Sequence, residues 1–300
     1  MSAPLLMVLA TLLFATMGLC VKVASLHFGY TAGEIVMYRG LVGTLALFTL
    51  ARSQGLSLKT KVPAMHFWRS LSGVIALSLW FYAISKLPLA TAMTLNYMSS
   101  IWMALFLIGG AVMMGGARVD PRLITTVLIG FVGVALVLRP SMSEDQFWHG
   151  LAGLASGMLS AMAYLQVTAL GRVGEPEYRV VFYFSMGGAV AGALVSLATA
   201  GGWHGHTWTG AALLLAVGVL ATGAQLLMTR AYSIGKPLVN ASLQYLGIVF
   251  SALYSVLIFQ DLLPWTAWVG IGLIVVAGLG ATLLRARNTP QDEQHSVSES

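Results

Sequence analysis

The sequence predicts an all-α integral membrane protein of ten transmembrane helices, arranged as two inverted five-helix repeats. Three observations carry that expectation. First, hydrophobic residues make up 58% of the 300 residues and charged residues only 9%. A soluble domain carries about 25% charged residues. So little polar surface cannot cover a soluble globule, and lipid must be the solvent for most of the chain. Second, ten apolar runs approach the roughly 20 residues that a membrane helix needs. Third, the chain echoes itself. Leu243-Gln244-Tyr245 and Ala252-Leu253 repeat Leu95-Asn96-Tyr97 and Ala104-Leu105 at an offset of 148 residues. Val181, Tyr183 and Gly188 repeat Val36, Tyr38 and Gly43 at an offset of 145. With five spans per half, the second half must enter the bilayer upside down. Inverted repeats with a site between them are the usual build of secondary transporters.

The spans are expected at 3–24, 33–51, 66–86, 90–113 and 121–139 in the first repeat (1–143). Those of the second repeat (144–285) are expected at 147–170, 178–199, 209–230, 238–259 and 265–285. The first run has no basic lead and is longer than the apolar part of a cleaved signal, so it reads as a retained helix. Pro4, Pro121 and Pro264 stand at or just before helix starts, where a missing N–H costs little. Pro88 and Pro237 mark short turns before the fourth and ninth spans. The polar segment 286–300 is expected to be a disordered cytoplasmic tail.

Charge sets the orientation. If the N-terminus is inside, Arg52, Lys59, Lys61, Arg69, Arg118, Arg122, Arg172, Arg179, Arg230, Lys236, Arg285 and Arg287 flank the cytoplasmic face. Only Lys22, Arg39, Lys86 and Arg139 face the other side. Twelve against four places both termini in the cytoplasm of a multi-pass plasma (inner) membrane protein. Most tryptophans fall near span ends, as an interfacial belt requires, but Trp80 and Trp102 lie deeper. The net charge of +6 is spread between apolar runs without a basic block, which speaks against a nucleic-acid partner. Cys20 is the only cysteine, which excludes an internal disulfide or a cysteine metal cluster. No cofactor is expected. His204-Gly205-His206 supplies two ligands, too few for a metal site.

Charge inside a bilayer is costly and usually functional. Lys22, Glu34 and Arg39 gather around the first external loop. Glu34 and Arg39 read either as an interfacial ion pair or gate latch, or as part of a site for a substrate carboxylate. Lys22 is a second cation for such a carboxylate. All six histidines lie in loops, at span edges or in the tail, so Glu34 alone is placed to carry a proton and strong proton coupling is not expected. Asn96 and Gln244 occupy matching places in the fourth and ninth spans. Ala92, Asn96, Ser99 and Met103 share one helix face; Asn240, Gln244, Gly247 and Ser251 share another. Each strip either lines a wet cavity or packs helices together. Gln166 and Gln225 are further polar positions. Tyr38, Tyr82, Trp80, Trp102, Tyr97, Tyr164 and Tyr245 supply rings that fit either an aromatic-walled pocket or contacts with lipid and neighbouring helices. Gly153-x-x-x-Gly157 and Gly188-x-x-x-Gly192 permit close helix packing.

These residues carry a resemblance. Ten spans in two inverted halves, with Arg39 in Tyr38-Arg39-Gly40, Ala231-Tyr232, Leu243-Gln244-Tyr245-Leu246, Phe250-Ser251-Ala252-Leu253 and Gln260-Asp261, resemble the EamA branch of the drug/metabolite transporter superfamily. More narrowly the chain is similar to YddG-type exporters of aromatic and other neutral amino acids. The resemblance implies export of a small neutral or aromatic amino acid through a central cavity that opens alternately to each side. Two departures stand out. Ser99-Ser100 and Gly247-Ile248 replace the proline that commonly follows the Gln-Tyr motif, and Phe184 stands where a second-half counterpart of Arg39 would be.

Other readings are a carrier for a different metabolite or drug in the same fold, and a proton-coupled exporter using Glu34. A nucleotide-sugar carrier would want several basic residues in its cavity. An intramembrane enzyme would want buried catalytic acids or histidines, which the spans lack. A channel would show a charged ring. The weakly polar fifth and tenth spans leave monomer and homodimer both open.

Overall fold

The computed structural model describes residues 2–113, 144–198, 205–235 and 237–288, with scattered helical positions between 125 and 136. The fifth span expected at 121–139 otherwise lies outside the described residues. So do positions 289–300 of the expected tail. Among the described residues all regular structure is helical. The helices are α1 (Ala3–Phe28), α2 (Ala32–Ser53), α3 (Pro63–Lys86), α4 (Leu89–Tyr97), α5 (Ser99–Met113), α6 (Glu144–Arg172), α7 (Glu177–Ala198), α8 (Trp208–Ile234), α9 (Pro237–Leu243), α10 (Leu246–Leu257) and α11 (Trp265–Asn288). Among the described residues seven stretches are long and apolar enough to cross a membrane, and Trp265–Ala277 is a shorter apolar one.

Local chemistry fixes the ends. Thr31 and Glu34 form a capping box at the start of α2: the Thr31 N–H donates to Glu34 Oε2 at 2.8 Å, and the Glu34 N–H donates to Thr31 Oγ1 at 3.3 Å. Pro63 opens α3 three residues before the expected start at 66. Thr207 caps α8 through its hydroxyl oxygen. Helix α11 runs on to Asn288, so 286–288 are helical where a tail was expected.

The largest departure from expectation is that the fourth and ninth spans are not continuous. The fourth is broken at Met98, between α4 and α5, and the ninth at Gln244 and Tyr245, between α9 and α10. At each break the hydrogen bonds tighten to a three-residue spacing: Ile101 N–H to Met98 O at 3.0 Å, and Gly247 N–H to Gln244 O at 2.8 Å. Neither break contains a proline.

Helix α2 packs most extensively on α7, α3 on α6, and α1 on α8. Lipid offers no hydrophobic drive between helices, so close backbone approach must replace it. The α2–α7 crossing does this with glycines. A Cβ at Gly40 would fall 2.3 Å from the Ala189 nitrogen, and one at Gly192 would fall 2.4 Å from the Met37 nitrogen. Outward-facing Leu45, Phe48, Leu194, Leu197, Val219 and Leu257 are exposed, an apolar surface suited to lipid.

The two ends of the bundle are tied differently. At one end Glu175 accepts hydrogen bonds from Thr60 Oγ1 (3.0 Å) and Arg179 Nη1 (3.1 Å) and pairs with His66 Nε2 (3.0 Å). Burial opposes ionisation of Glu175, but these three partners hold its carboxyl below the usual carboxylate range. Arg179 Nη2 also donates to Ser57 O at 2.8 Å, and Tyr183 Oη to Leu58 O at 3.0 Å. The α2–α3 loop is thereby tied to the start of α7. At the other end His206 bridges Tyr30 Oη (2.9 Å) and Tyr38 Oη (2.5 Å).

Candidate functional site

A small cavity of about 40 Å³ lies at the centre of the bundle. Its wall draws on six of the seven long stretches and on α4: Phe14 from α1, Arg69, Gly73, Leu77 and Trp80 from α3, and Asn96 and Tyr97 from the end of α4. Ser160, Ala163 and Tyr164 come from α6, Phe184 from α7, Gln225 from α8, and Gln244 from the break after α9. Both span breaks therefore end at this cavity.

The polar side chains are held by their neighbours. Asn96 Nδ2 donates to Ser156 Oγ at 2.9 Å and to Ser160 Oγ at 3.3 Å. Helix α6 reaches Asn96 because Gly157 is bare: a Cβ there would lie 2.7 Å from Leu95 O and 2.8 Å from Asn96 O. Gln244 Nε2 donates to Tyr232 Oη at 3.4 Å. Tyr232 stacks on Tyr164 with centroids 5.3 Å apart. Trp80 meets Phe14 edge-on at 6.4 Å. The wall thus offers rings for an apolar body and amides for a polar head.

The decisive charge is Arg69. It is buried, its Cζ lies 4.2 Å from the Phe184 ring centroid, and its Nη2 donates to Gln225 Oε1 at 3.4 Å. Its Nε and Nη1 have no hydrogen-bond partner among the described residues. A buried guanidinium with free N–H groups, facing a cavity without an acidic wall residue, has the donor geometry that suits a carboxylate or another anion. The sequence reading counts Arg69 on the cytoplasmic flank and expects no charge in the middle of a span. The structure differs because α3 begins at Pro63, which puts Arg69 about 9 Å along the helix by its rise.

The other sequence-singled residues divide. Trp80, Asn96, Tyr164 and Gln244 line the cavity, with Tyr97 and Gln225. Ser99 is buried behind the break, and Asn240 Nδ2 donates to Ala231 O at 2.6 Å. Trp102 stacks on Phe106 at 6.4 Å. Tyr82 is exposed and stacks on His149 at 4.2 Å. Tyr38 lies at the His206 bridge. Lys22 is buried, donates to Leu87 O, and sits 5.7 Å from the Phe259 ring. Glu34 caps α2, whereas Arg39 lies 5.0 Å from the Phe184 ring. Gln166 Oε1 accepts from Ser72 Oγ at 2.8 Å.

Comparison with known proteins agrees with this architecture. Residues 1–139 match the EamA-like transporter family. The pseudopaline exporter CntI of Pseudomonas aeruginosa is 32% identical over 92% of this chain and 94% of its own length. The chain belongs to the EamA-like transporter family. A riboflavin transporter of Rhizobium johnstonii is also similar, 25% identical over 91% of this chain and 88% of its own. A solved crystal structure shares the fold at a TM-score of 0.66, with 20% identity, covering 96% of this chain and 99% of that one. The named cargoes of these relatives differ, so membership in the EamA-like family leaves the cargo to be argued from the cavity itself.

Proposed function

We propose that this EamA-like transporter is an alternating-access carrier that exports a small carboxylate-bearing metabolite with an apolar or aromatic body, the aromatic amino acids being the first members to test. The observation that carries the reading is Arg69: a buried guanidinium with free Nε and Nη1 on the wall of a central cavity. Trp80, Phe14, Tyr164 and Phe184 supply the apolar surface, and Asn96 and Gln244 the polar contacts.

We read the fold as ten spans in two inverted repeats. The packing pattern supports this. Exchanging the halves turns α1, α2 and α3 into α6, α7 and α8. The α3–α6 pair then becomes the α8–α1 pair, and α2–α7 maps onto itself. The broken spans obey the same exchange, since α4 touches α10 and α5 touches α9. Broken helices meeting at a midplane site are the build on which one half rocks against the other. Both termini then face the cytoplasm of the inner membrane. No acid lines the cavity, which supports flux driven by the cargo's own gradient rather than by a strong proton coupling.

The test is uptake of labelled tryptophan, phenylalanine and threonine into proteoliposomes, with and without the same compound preloaded. Saturable uptake that preloading accelerates, and that R69Q abolishes, is expected. Uptake indifferent to R69Q would sink the role given to the cavity. A second reading, a cargo of the pseudopaline kind, is favoured by the 32% identity to CntI over 92% of this chain. Competition by pseudopaline but by none of the amino acids would select it.

A further inference from the structure

Two arginines share one aromatic ring in this bundle. Arg69 Cζ lies 4.2 Å and Arg39 Cζ 5.0 Å from the Phe184 centroid. They come from different helices, α3 and α2, and both are buried. On each, Nε and Nη1 have no hydrogen-bond partner among the described residues. The ion pairs among the described residues are His66–Glu175, Arg179–Glu175 and Arg230–Glu177, and neither Arg39 nor Arg69 joins them. The acid nearest to Arg39 on α2 is Glu34, whose Oε2 accepts from Thr31. Contact with one aromatic ring recovers only part of the hydration that two buried cations lose. Their like charges also repel.

We propose that Arg39 and Arg69 form a paired-cation site for a cargo with two carboxylates, one at each guanidinium, its apolar body against Phe184. The inference rests on the carrier reading above and narrows its cargo. Charge balance favours it over a neutral zwitterion. A neutral amino acid would bring one carboxylate for two cations, and its ammonium group would meet no carboxylate on the cavity wall. A dicarboxylate neutralises the pair. Arg69 lines the cavity directly; Arg39 is reached past Phe184, so the second carboxylate engages as that ring turns aside. Each guanidinium then offers Nε and one Nη, the two-pronged edge that matches a carboxylate.

The experiment compares 3-phenylpropionate, with one carboxylate, and 2-benzylsuccinate, which adds a second to the same core. Affinities are measured on the purified full-length chain in detergent by quenching of tryptophan fluorescence, Trp80 being on the cavity wall, and by calorimetry. Wild type is expected to bind benzylsuccinate at least about tenfold more tightly. R39Q is expected to weaken benzylsuccinate about tenfold more than phenylpropionate, which erases that advantage, while R69Q weakens both ligands. R39K keeps the charge but loses the two-pronged donor; it is expected to retain part of the advantage and carries the test if R39Q fails to fold. Equal wild-type affinities, or a loss for both ligands alike in R39Q and R39K, would overturn the paired site and leave the carrier reading standing. Binding of neither ligand to folded protein would overturn both.

Discussion

Tyr97 and Gly247 meet where the two interrupted spans cross: a Cβ added at residue 247 would lie 2.4 Å from the Tyr97 hydroxyl oxygen and 2.7 Å from its ring. Tyr97 ends α4 and lines the cavity, while Gly247 stands in the first turn of α10. The contact couples the α4–α5 break to the α9–α10 break. Gly247→Ala therefore forces either Tyr97 into the cavity or the two spans apart. Overpacking of a close-packed interior costs about 1–3 kcal/mol. The variant is expected to unfold at a lower temperature in detergent and to transport more slowly. A variant with wild-type midpoint and flux would show that the crossing dilates freely.

Gly73 gives Arg69 its place. A Cβ there would fall 2.0 Å from Arg69 Nη1 and 3.0 Å from Phe184 Cε2. The first of these is the far end of a flexible side chain, so the helix itself need not move. Gly73→Ala is expected to swing the guanidinium off the Phe184 face with little effect on the unfolding midpoint. Carboxylate affinity should fall about tenfold or more, equivalent to about 1.4 kcal/mol. Unchanged affinity would mean that the anion does not bind where Arg69 now lies.

Much of this architecture is legible from hydropathy, because lipid forces every span to be a helix and an apolar run of the right length has no other use. Asn96 and Gln244 are legible for a different reason: the 148-residue offset pairs two polar residues inside apolar runs. What escapes the sequence is direction around each helix. A span apolar on all sides carries no 3.6-residue stripe, so nothing separates Trp80, which lines the cavity, from Tyr82, which is exposed two residues later. Arg69 escapes because counting basic residues near span ends absorbs any arginine close to an end. The signal that locates it is Pro63, a helix-start residue upstream of it. The breaks at Met98 and Gln244 escape because no proline marks them. Small and polar neighbours, Ser99 and Gly247, permit them instead.

Glu175 ties the α2–α3 loop to α7, and the depressed state of its carboxyl fixes how that tie responds to pH. It lies in the α6–α7 loop, facing Thr60 from the α2–α3 loop, His66 from α3 and Arg179 from α7. A folded-state pKa below the unfolded one means that the tie stabilises the native state in full above the ordinary carboxylate value. That contribution is lost as the pH falls through the lower, folded value. The tie is therefore intact at neutral pH and opens only in acid. Glu175→Gln should remove most of it at every pH, costing on the order of 1–3 kcal/mol for the hydrogen bonds to charged groups. Hydrogen–deuterium exchange across residues 56–62 checks this. Exchange there should speed up in the variant at neutral pH, and in wild type only in acid. Wild-type protection lost already near neutral pH would assign the tie to His66 rather than to the carboxylate.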